Sequence, residues 1–145
     1  MEQLGWEIGE TSNALRRAFD RKAAALGVTR AQWRLLAHLS RDPGQRQVEL
    51  ADRMDIEPIT LCRIVDRLEE SELVERRRDP ADRRAWQLYL TNKAEPLVER
   101  LRRLADELSE EVFSGLDEAE LTAVRSALAR IRSNLSSVAK GRVTE

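Results

Sequence analysis

The chain has 145 residues, of which 41% are hydrophobic and 35% are charged, and its formal net charge is −1. A chain of this length and composition corresponds to one ordinary domain with a substantial apolar core. Because the net charge is close to zero, any contact with DNA has to come from a local basic patch. The single cysteine, Cys62, excludes an intrachain disulfide and suits a reducing compartment.

The first ten residues are acidic and contain no apolar run, and no later stretch is long and apolar enough to span a membrane. The sequence therefore predicts a cytoplasmic protein. Residues 4–26 have helical apolar spacing, and Gly27 can end that helix. Thr29 and Gln32 form a capping-box pattern at the start of a second apolar helix, which ends before the turn at 42–44.

Two short helical patterns come next, at residues 47–54 and 58–71. Pro58 is well suited to the first turn of the second one. Only residues 55–57 connect them, which is short enough to impose a sharp angle. Two short helices joined in this way predict a helix-turn-helix.

A hairpin pattern follows directly. Residues 73–78 and 84–90 are predicted strands, the second of them with clear period-two alternation, and residues 79–82 are a turn signal. A hairpin immediately after a helix-turn-helix is a wing. The predicted fold class is mainly α (α+β), a winged helix-turn-helix with a two-stranded wing.

Two long helices complete the chain. Thr91 can cap the first, which runs to about Ser114, and Asp117 can cap the second, while residues 141–145 are expected to be irregular. The apolar residues of the last helix alternate steps of three and four, close to a coiled-coil seam; they are Leu121, Val124, Leu128, Ile131, Leu135 and Val138. Such a seam needs a partner, and little else in the chain can cover it, so the pattern predicts a homodimer.

The face of helix 58–71 opposite its apolar stripe presents Ile59, Thr60, Arg63 and Arg67. A helix fits the major groove, where an arginine pairs bidentately with guanine and a threonine bonds a base or contacts a thymine methyl. The alternative is a solvated face with helix-surface ion pairs, Arg63 with Asp66 and Arg67 with Glu70.

Positive charge is concentrated in the hairpin at residues 76–84, which contain five arginines and two aspartates, a local charge of +3. Charge at a loop tip is suited to phosphate or minor-groove contact, and Arg83 and Arg84 lie there. The alternative is a soluble hairpin with structural Arg–Asp pairs. Both can hold, so we expect one Arg–Asp pair to stiffen the loop and Arg83 to enter the groove.

These motifs, in this order, resemble the MarR (multiple antibiotic resistance regulator) family over about residues 5–138. The matching segments are Trp33-Arg-Leu-Leu, Glu49-Leu-Ala, Arg63-Ile-Val-Asp-Arg-Leu-Glu, Leu73-Val-Glu-Arg, Asp79-Pro-Ala-Asp-Arg-Arg and Leu90-Thr. Each is weak alone, but their combined order and spacing are specific.

The resemblance implies a single MarR-like domain, with a winged-helix DNA-binding lobe at about residues 30–92. It implies that residues 4–26 and 93–140 form a helical dimerisation lobe. It further implies a dimeric regulator, usually a repressor, that binds palindromic double-stranded DNA. By analogy, helix 58–71 is the recognition helix with its first residues near bases, and Asp82 and Arg83 form the wing tip. The DNA-binding residues expected are Pro58, Ile59, Thr60, Arg63, Arg67, Asp82, Arg83 and Arg84.

One position departs from the family pattern. Glu72 stands where the family usually has glycine, in a turn that often requires a positive φ. A small strain or an altered turn is expected there.

Relatives often bind small phenolic or other aromatic anions between the two lobes. The effector-binding candidates that this analogy suggests are Trp6, Arg17, Trp33 and His38. Trp33 is better suited to the core and Trp6 to dimer packing, whereas an arginine such as Arg17 can pair with a carboxylate.

One histidine and one cysteine are too few for a usual zinc site or a nucleophile with its base, so no enzyme, metal or cofactor is expected. Cys62 is expected to be structural rather than a redox sensor. The rival to DNA binding is a winged helix used for protein–protein assembly, with the basic hairpin meeting an acidic partner.

Overall fold

The computed structural model describes residues 2–141, a mainly helical chain with one small sheet, and so confirms the predicted fold class. Its helices are α1 (Glu2–Ala24), α2 (Arg30–Arg41), α3 (Gln47–Met54), α4 (Pro58–Glu70), α5 (Glu95–Val112) and α6 (Glu118–Gly141). Its strands are β1 (Gln45–Arg46), β2 (Val74–Arg78) and β3 (Trp86–Leu90). Most of the tail that was expected to be irregular, residues 142–145, lies outside the described residues. The chain divides into two compact units, with the boundary after Leu108.

The predicted capping box at the start of α2 is present. The Gln32 backbone N–H donates to Thr29 Oγ1 (3.3 Å), and the Thr29 N–H donates to Gln32 Oε1 (3.1 Å). These two bonds satisfy donors that a helix start otherwise leaves without partners. They fix the point at which the chain turns from α1 into α2.

The helix-turn-helix is confirmed as α3 and α4, joined by residues 55–57. Asp55 ends α3 in the left-handed region (φ 54°), which an aspartate tolerates better than most residues. The Ile56 N–H donates back to the Ala51 carbonyl (3.1 Å), which closes the turn. Pro58 then occupies the first turn of α4, as predicted.

The sheet has three antiparallel strands in the order β1–β3–β2, one more than predicted. The wing hairpin pairs Val74 with Leu90 at its base and Arg78 with Trp86 at its far end. β1 adds a pair between Gln45 and Leu88. Two residues are too few to show a period, so sequence patterning did not detect this strand. Because β1 leads directly into α3, it joins the wing to the helix-turn-helix.

The core of the first unit lies among α2, α3, α4 and the sheet. Its fully buried large side chains are Leu35, Leu36, Leu39, Leu50, Met54, Leu61, Val65, Leu68, Val74 and Leu88. All are aliphatic or methionine, in keeping with the low aromatic content. Three of them lie on α4, so packing fixes which face of that helix points outward.

Of the two predicted caps of the long helices, one is present. Asp117 and Glu120 exchange backbone-to-side-chain bonds of 2.9 and 2.8 Å at the start of α6. Thr91 makes no such side-chain bond: its hydroxyl donates to the Glu72 carbonyl (2.5 Å), and a 3-10 turn at Asn92–Ala94 precedes α5. The Thr91 side chain therefore connects the wing base to the end of α4 instead of capping a helix.

The second unit consists of the end of α5 and α6. Within residues 118–141 no side chain is buried, and only Leu121 and Ile131 of the seam are half-buried. None of the helices that the structure describes has the length and hydropathy needed to cross a membrane.

Candidate nucleic-acid interface

The outward face of α4 includes the four residues that the sequence predicted. Leu61, Val65 and Leu68 are buried on the inner face. All of the predicted recognition-helix residues are exposed: Pro58, Ile59, Thr60, Arg63 and Arg67. Ile59 is 61% exposed and lies beside Thr60 on this face.

Neither of the alternative surface ion pairs on α4 is formed. Among the described residues, the side chains of Arg63 and Arg67 have no hydrogen-bond or ion-pair partner. Asp66 bonds instead to Arg76 of the wing, and Glu70 makes no ion pair within residues 2–141. Both guanidinium groups are thus free to meet a phosphate or a base.

Arg76 lies in a cluster that we call the Arg76 network, defined by Arg76, Gln47, Cys62, Asp66 and Glu69. Its Nη2 donates to Asp66 Oδ1 (2.7 Å) and to the Cys62 carbonyl (3.2 Å), and its Nη1 donates to Glu69 Oε1 (3.0 Å). Its Nε donates to Gln47 Oε1 (3.0 Å), and its backbone N–H donates to Glu69 Oε2 (3.2 Å). Only 12% of its side chain is exposed. Burial lowers the pKa of Arg76, but its bonds and proximity to the two carboxylates outweigh this and raise it.

Arg77 and Arg78, the next two residues of β2, each cover an aromatic ring of β3. The guanidinium carbon of Arg78 is 3.8 Å from the centroid of Trp86, and that of Arg77 is 4.1 Å from the centroid of Tyr89. Arg77 also pairs with Glu75. Three of the five hairpin arginines, Arg76, Arg77 and Arg78, therefore have side-chain partners within the chain.

The wing loop is fixed by Asp79, whose side chain is only 7% exposed. It accepts the Ala81 N–H at Oδ1 (2.8 Å) and Arg46 Nη2 at Oδ2 (2.7 Å). The Ala81 bond and then the Arg46 pair hold the pKa of Asp79 below its usual range, against the opposing effect of burial. The expected Arg–Asp pair exists, but its arginine comes from β1 and not from the hairpin.

The tip of the wing presents Asp82, Arg83 and Arg84, all exposed. Asp82 accepts the Arg84 N–H at Oδ1 (3.0 Å), and Arg78 bonds the Arg83 carbonyl (2.8 Å), so the tip backbone is held in place. Within residues 2–141 the Arg83 and Arg84 side chains have no partner. The structure therefore places two free cations on a rigid loop, as the sequence predicted for Arg83.

The four effector-binding candidates lie on α1 and α2. Trp33 packs edge-on against Phe19 (centroids 4.5 Å apart) and donates its Nε1–H to Asp20 (2.7 Å). Trp6 and Arg17 are exposed on α1. His38 is half-buried on α2, where burial first and neighbouring arginine charges second lower its pKa.

A cleft of about 480 Å³ in the first unit contains none of the four. Its lining residues come from α2, β3 and α5 and the turn after α2: Leu39, Ser40, Pro43, Tyr89, Leu90, Glu95, Val98, Glu99 and Arg102. Arg102 donates to Ser40 Oγ across it (2.9 Å). Sequence patterning did not bring these residues together, because they share a site only through the packing of three elements.

Cys62 is half-buried, and its sulfur is 3.6 Å from Arg76 Nη2. In the part of the chain that the structure describes, no three histidine, cysteine or acidic side chains are arranged to hold a metal ion.

The exposed helix face, the rigid basic loop and their common support on one core define a winged helix-turn-helix protein. The family model described as "MarR family" matches residues 26–85, which extend from the end of α1 through the wing loop. Several solved structures share the whole architecture.

A crystal structure of the transcriptional regulator PA3341 is 36% identical to this chain, with a TM-score of 0.85, covering 92% of this chain and 98% of that one. A MarR transcriptional regulator from Methanosarcina mazei Go1 is 26% identical, with a TM-score of 0.84, covering 95% and 99%. A MarR mutant from E. coli, complexed with operator DNA, is 25% identical, with a TM-score of 0.75, covering 89% and 93%. The chain belongs to the MarR family of transcriptional regulators.

Proposed function

We propose that this regulator binds a palindromic operator in double-stranded DNA as a homodimer, with α4 in the major groove and the wing tip in the minor groove. One observation carries the proposal: Arg63 and Arg67 are exposed on α4 and have no partner among residues 2–141, while Asp66 beside them is paired with Arg76. A face with free cations and a neutralised carboxylate suits phosphates and base edges.

The proposed readout has two parts. Arg63 reads a guanine or bonds a phosphate, and Thr60 contacts a base edge or a thymine methyl, with Ile59 as an apolar neighbour. Arg83 enters the minor groove, and Arg84 contacts the phosphates that border it. The E. coli MarR mutant that shares this fold forms a complex with operator DNA, which supports DNA as the partner by analogy.

The homodimer is supported by the apolar side chains that each unit exposes. In the first unit, α1 exposes Leu4 (56%) and Trp6 (73%). In the second unit the exposed large hydrophobic residues are Val112, Phe113, Leu116, Val124, Leu128, Leu135 and Val138. Exposed apolar surface of this extent, at coiled-coil spacing on α6, is suited to burial against a second copy. A two-fold dimer then presents two recognition helices to the two halves of a palindrome.

The role that the family resemblance favours is a cytoplasmic repressor without metal or cofactor, released from DNA by a small aromatic or anionic effector. The effector must bind the DNA-competent and DNA-incompetent arrangements unequally, because otherwise it shifts nothing. Measuring operator affinity across a panel of aromatic acids tests this part. Unchanged affinity throughout the panel would remove the effector from the proposal.

The DNA-binding proposal is tested by selecting bound sequences from a random duplex pool. The native protein is compared with Arg63→Ala and with Arg100→Ala, which removes the same charge from an exposed site on α5. We expect the native protein and Arg100→Ala to enrich the same palindrome, and Arg63→Ala to blur it at defined positions. No enrichment by the native protein at low salt would contradict the proposal and favour protein–protein assembly.

A further inference from the structure

Arg76 joins α4 and the wing, the two elements proposed to read DNA. It is also less exposed than Arg77, the other hairpin arginine that forms an ion pair. Its guanidinium group lies between β2 of the wing and α4, and it bonds acceptors on α4 at Cys62, Asp66 and Glu69. Its Nε reaches Gln47 at the start of α3 (3.0 Å). One side chain therefore connects the wing to both helices of the helix-turn-helix.

The position of Arg76 in its strand explains this arrangement. Val74 and Arg76 are two residues apart in β2, so their side chains lie on the same face of the sheet, the face that packs on the core. A lysine there would supply one compact charge, whereas the planar fork of an arginine bonds several acceptors in fixed directions. The geometry uses that fork, since Nε, Nη1 and Nη2 each have a different side-chain acceptor.

The charge of Arg76 matters as much as its geometry. Asp66 and Glu69 are about half exposed (54% and 45%) and belong to the helix that is proposed to approach the phosphates. Two uncompensated carboxylates there would repel DNA. Pairing with Arg76 reduces the charge of these two carboxylates from −2 to a net −1 for the three groups, while Arg63 and Arg67 keep guanidinium groups without partners among residues 2–141.

We propose that Arg76 is a positioning residue of the DNA-reading surface: it sets the angle between wing and recognition helix and offsets one of the two negative charges of Asp66 and Glu69, without contacting DNA. This inference rests on the proposed function. The hairpin arginines then have two roles. Those at the tip bind DNA, whereas Arg76 determines whether α4 and the wing tip can contact the same DNA site together.

The test compares Arg76→Met and Arg76→Lys with Arg77→Met, which removes the same charge from the neighbouring residue on the other face of β2. Affinity for the selected palindrome and for an unrelated duplex is measured over a range of salt concentrations. We expect Arg76→Met to lower affinity for the palindrome by about tenfold or more, and affinity for the unrelated duplex by much less. The salt dependence should keep its native slope, because no phosphate contact is removed. Arg76→Lys should bind the unrelated duplex with native affinity but regain only part of the lost preference for the palindrome. Arg77→Met should bind both duplexes with near-native affinity.

If Arg76→Met reduced the slope of log affinity against log salt by about one and lowered the affinity for both duplexes equally, Arg76 would contact phosphate and the positioning role would be overturned. A native specificity ratio in Arg76→Met would overturn it as well. Amide hydrogen exchange of the free protein gives a second readout that does not depend on DNA: Arg76→Met should lose protection in both β2 and α4. If the native protein selects no sequence, the proposed function fails. If Arg76→Met keeps native hydrogen-exchange protection in β2 and α4, the proposed link between wing and helix is rejected instead.

Discussion

Arg46 and Asp79, 33 residues apart in the chain, form an ion pair of 2.7 Å that joins β1 to the first residue of the wing loop. Because β1 leads directly into α3, the pair connects the loop that carries Arg83 to the helix-turn-helix by a route separate from the Arg76 network. The wing is therefore held at both ends, by Asp79 near its tip and by Arg76 near its base.

Acid should loosen this attachment. The pKa of Asp79 is lower in the folded chain than in the unfolded chain, so its contribution to stability is present above the unfolded value and is lost as pH falls through the folded value. We expect Asp79→Asn to be less stable than the native protein near neutral pH. The difference should begin to shrink below about pH 4, where the carboxyl of the unfolded chain takes up a proton, and should disappear once the pH falls below the lower folded pKa.

Urea unfolding of both proteins at a series of pH values measures this difference. Asp82→Asn is the matched control, because Asp82 is exposed at the same loop and has no ion pair within the described residues. A difference between native and Asp79→Asn that is independent of pH would contradict the assignment.

Glu72 adopts a left-handed conformation (φ 62°), as its place in the family pattern predicted. It follows the end of α4, where the Leu73 N–H donates to the Leu68 carbonyl (2.9 Å) in the usual glycine-type helix termination. A side chain in this conformation costs about 1 kcal/mol relative to glycine. Glu72→Gly should therefore raise the free energy of unfolding by about that amount, despite losing the exposed pair with Lys93.

Chemical denaturation tests this prediction, and Glu72→Ala is the control that removes the carboxylate but keeps the strained backbone. The free energy of unfolding of the alanine variant should not rise above that of the native protein. If Glu72→Gly proves less stable than the native protein, the Lys93 pair or the flexibility of the unfolded chain outweighs the strain.

The two free arginines of the wing tip should contribute mainly through phosphate and minor-groove charge. We expect Arg83→Ala to weaken operator binding by about tenfold at moderate salt and to reduce the slope of log affinity against log salt by about one. Arg84→Ala should show a similar change in slope. Fluorescence anisotropy with a labelled operator at several salt concentrations measures both quantities.

Arg100→Ala on α5 is again the control for loss of one positive charge, and its slope should be native. An Arg83→Ala protein with native affinity and slope would place the wing tip outside the DNA contact.

The seam on α6 should determine the oligomeric state. Leu128→Arg places a charge in the middle of the apolar row, and we expect it to yield monomers that have lost operator binding, because each half-site alone is bound weakly. Ser126→Arg introduces the same residue two positions earlier, outside the row, and should remain dimeric. Light scattering coupled to gel filtration distinguishes the two states. A dimeric Leu128→Arg would exclude this seam as the interface.

Much of the fold could be predicted from local patterns. Helix α3 has the predicted bounds, and α4 and the wing strands differ from prediction by one or two residues. Apolar periodicity, Pro58 and the Thr29 capping box are local signals, and each acts within a few residues of chain. The positive φ at Glu72 was expected from the family resemblance, because Glu72 stands where the family usually has glycine.

The tertiary structure decided which charges are free. The hairpin arginines look equivalent along the chain, yet within residues 2–141 the side chains of Arg76, Arg77 and Arg78 have partners and those of Arg83 and Arg84 have none. Their alternation in β2 places Arg76 on the core side and thus indicates burial, but its acceptors on α3 and α4 become neighbours only when the wing folds back. Arg46 and Asp79, 33 residues apart in the chain, likewise become neighbours only in the folded structure. Sequence by itself determined the elements because their signals are local, whereas the pairing of long charged side chains depends on which elements packing brings within about 3 Å of each other.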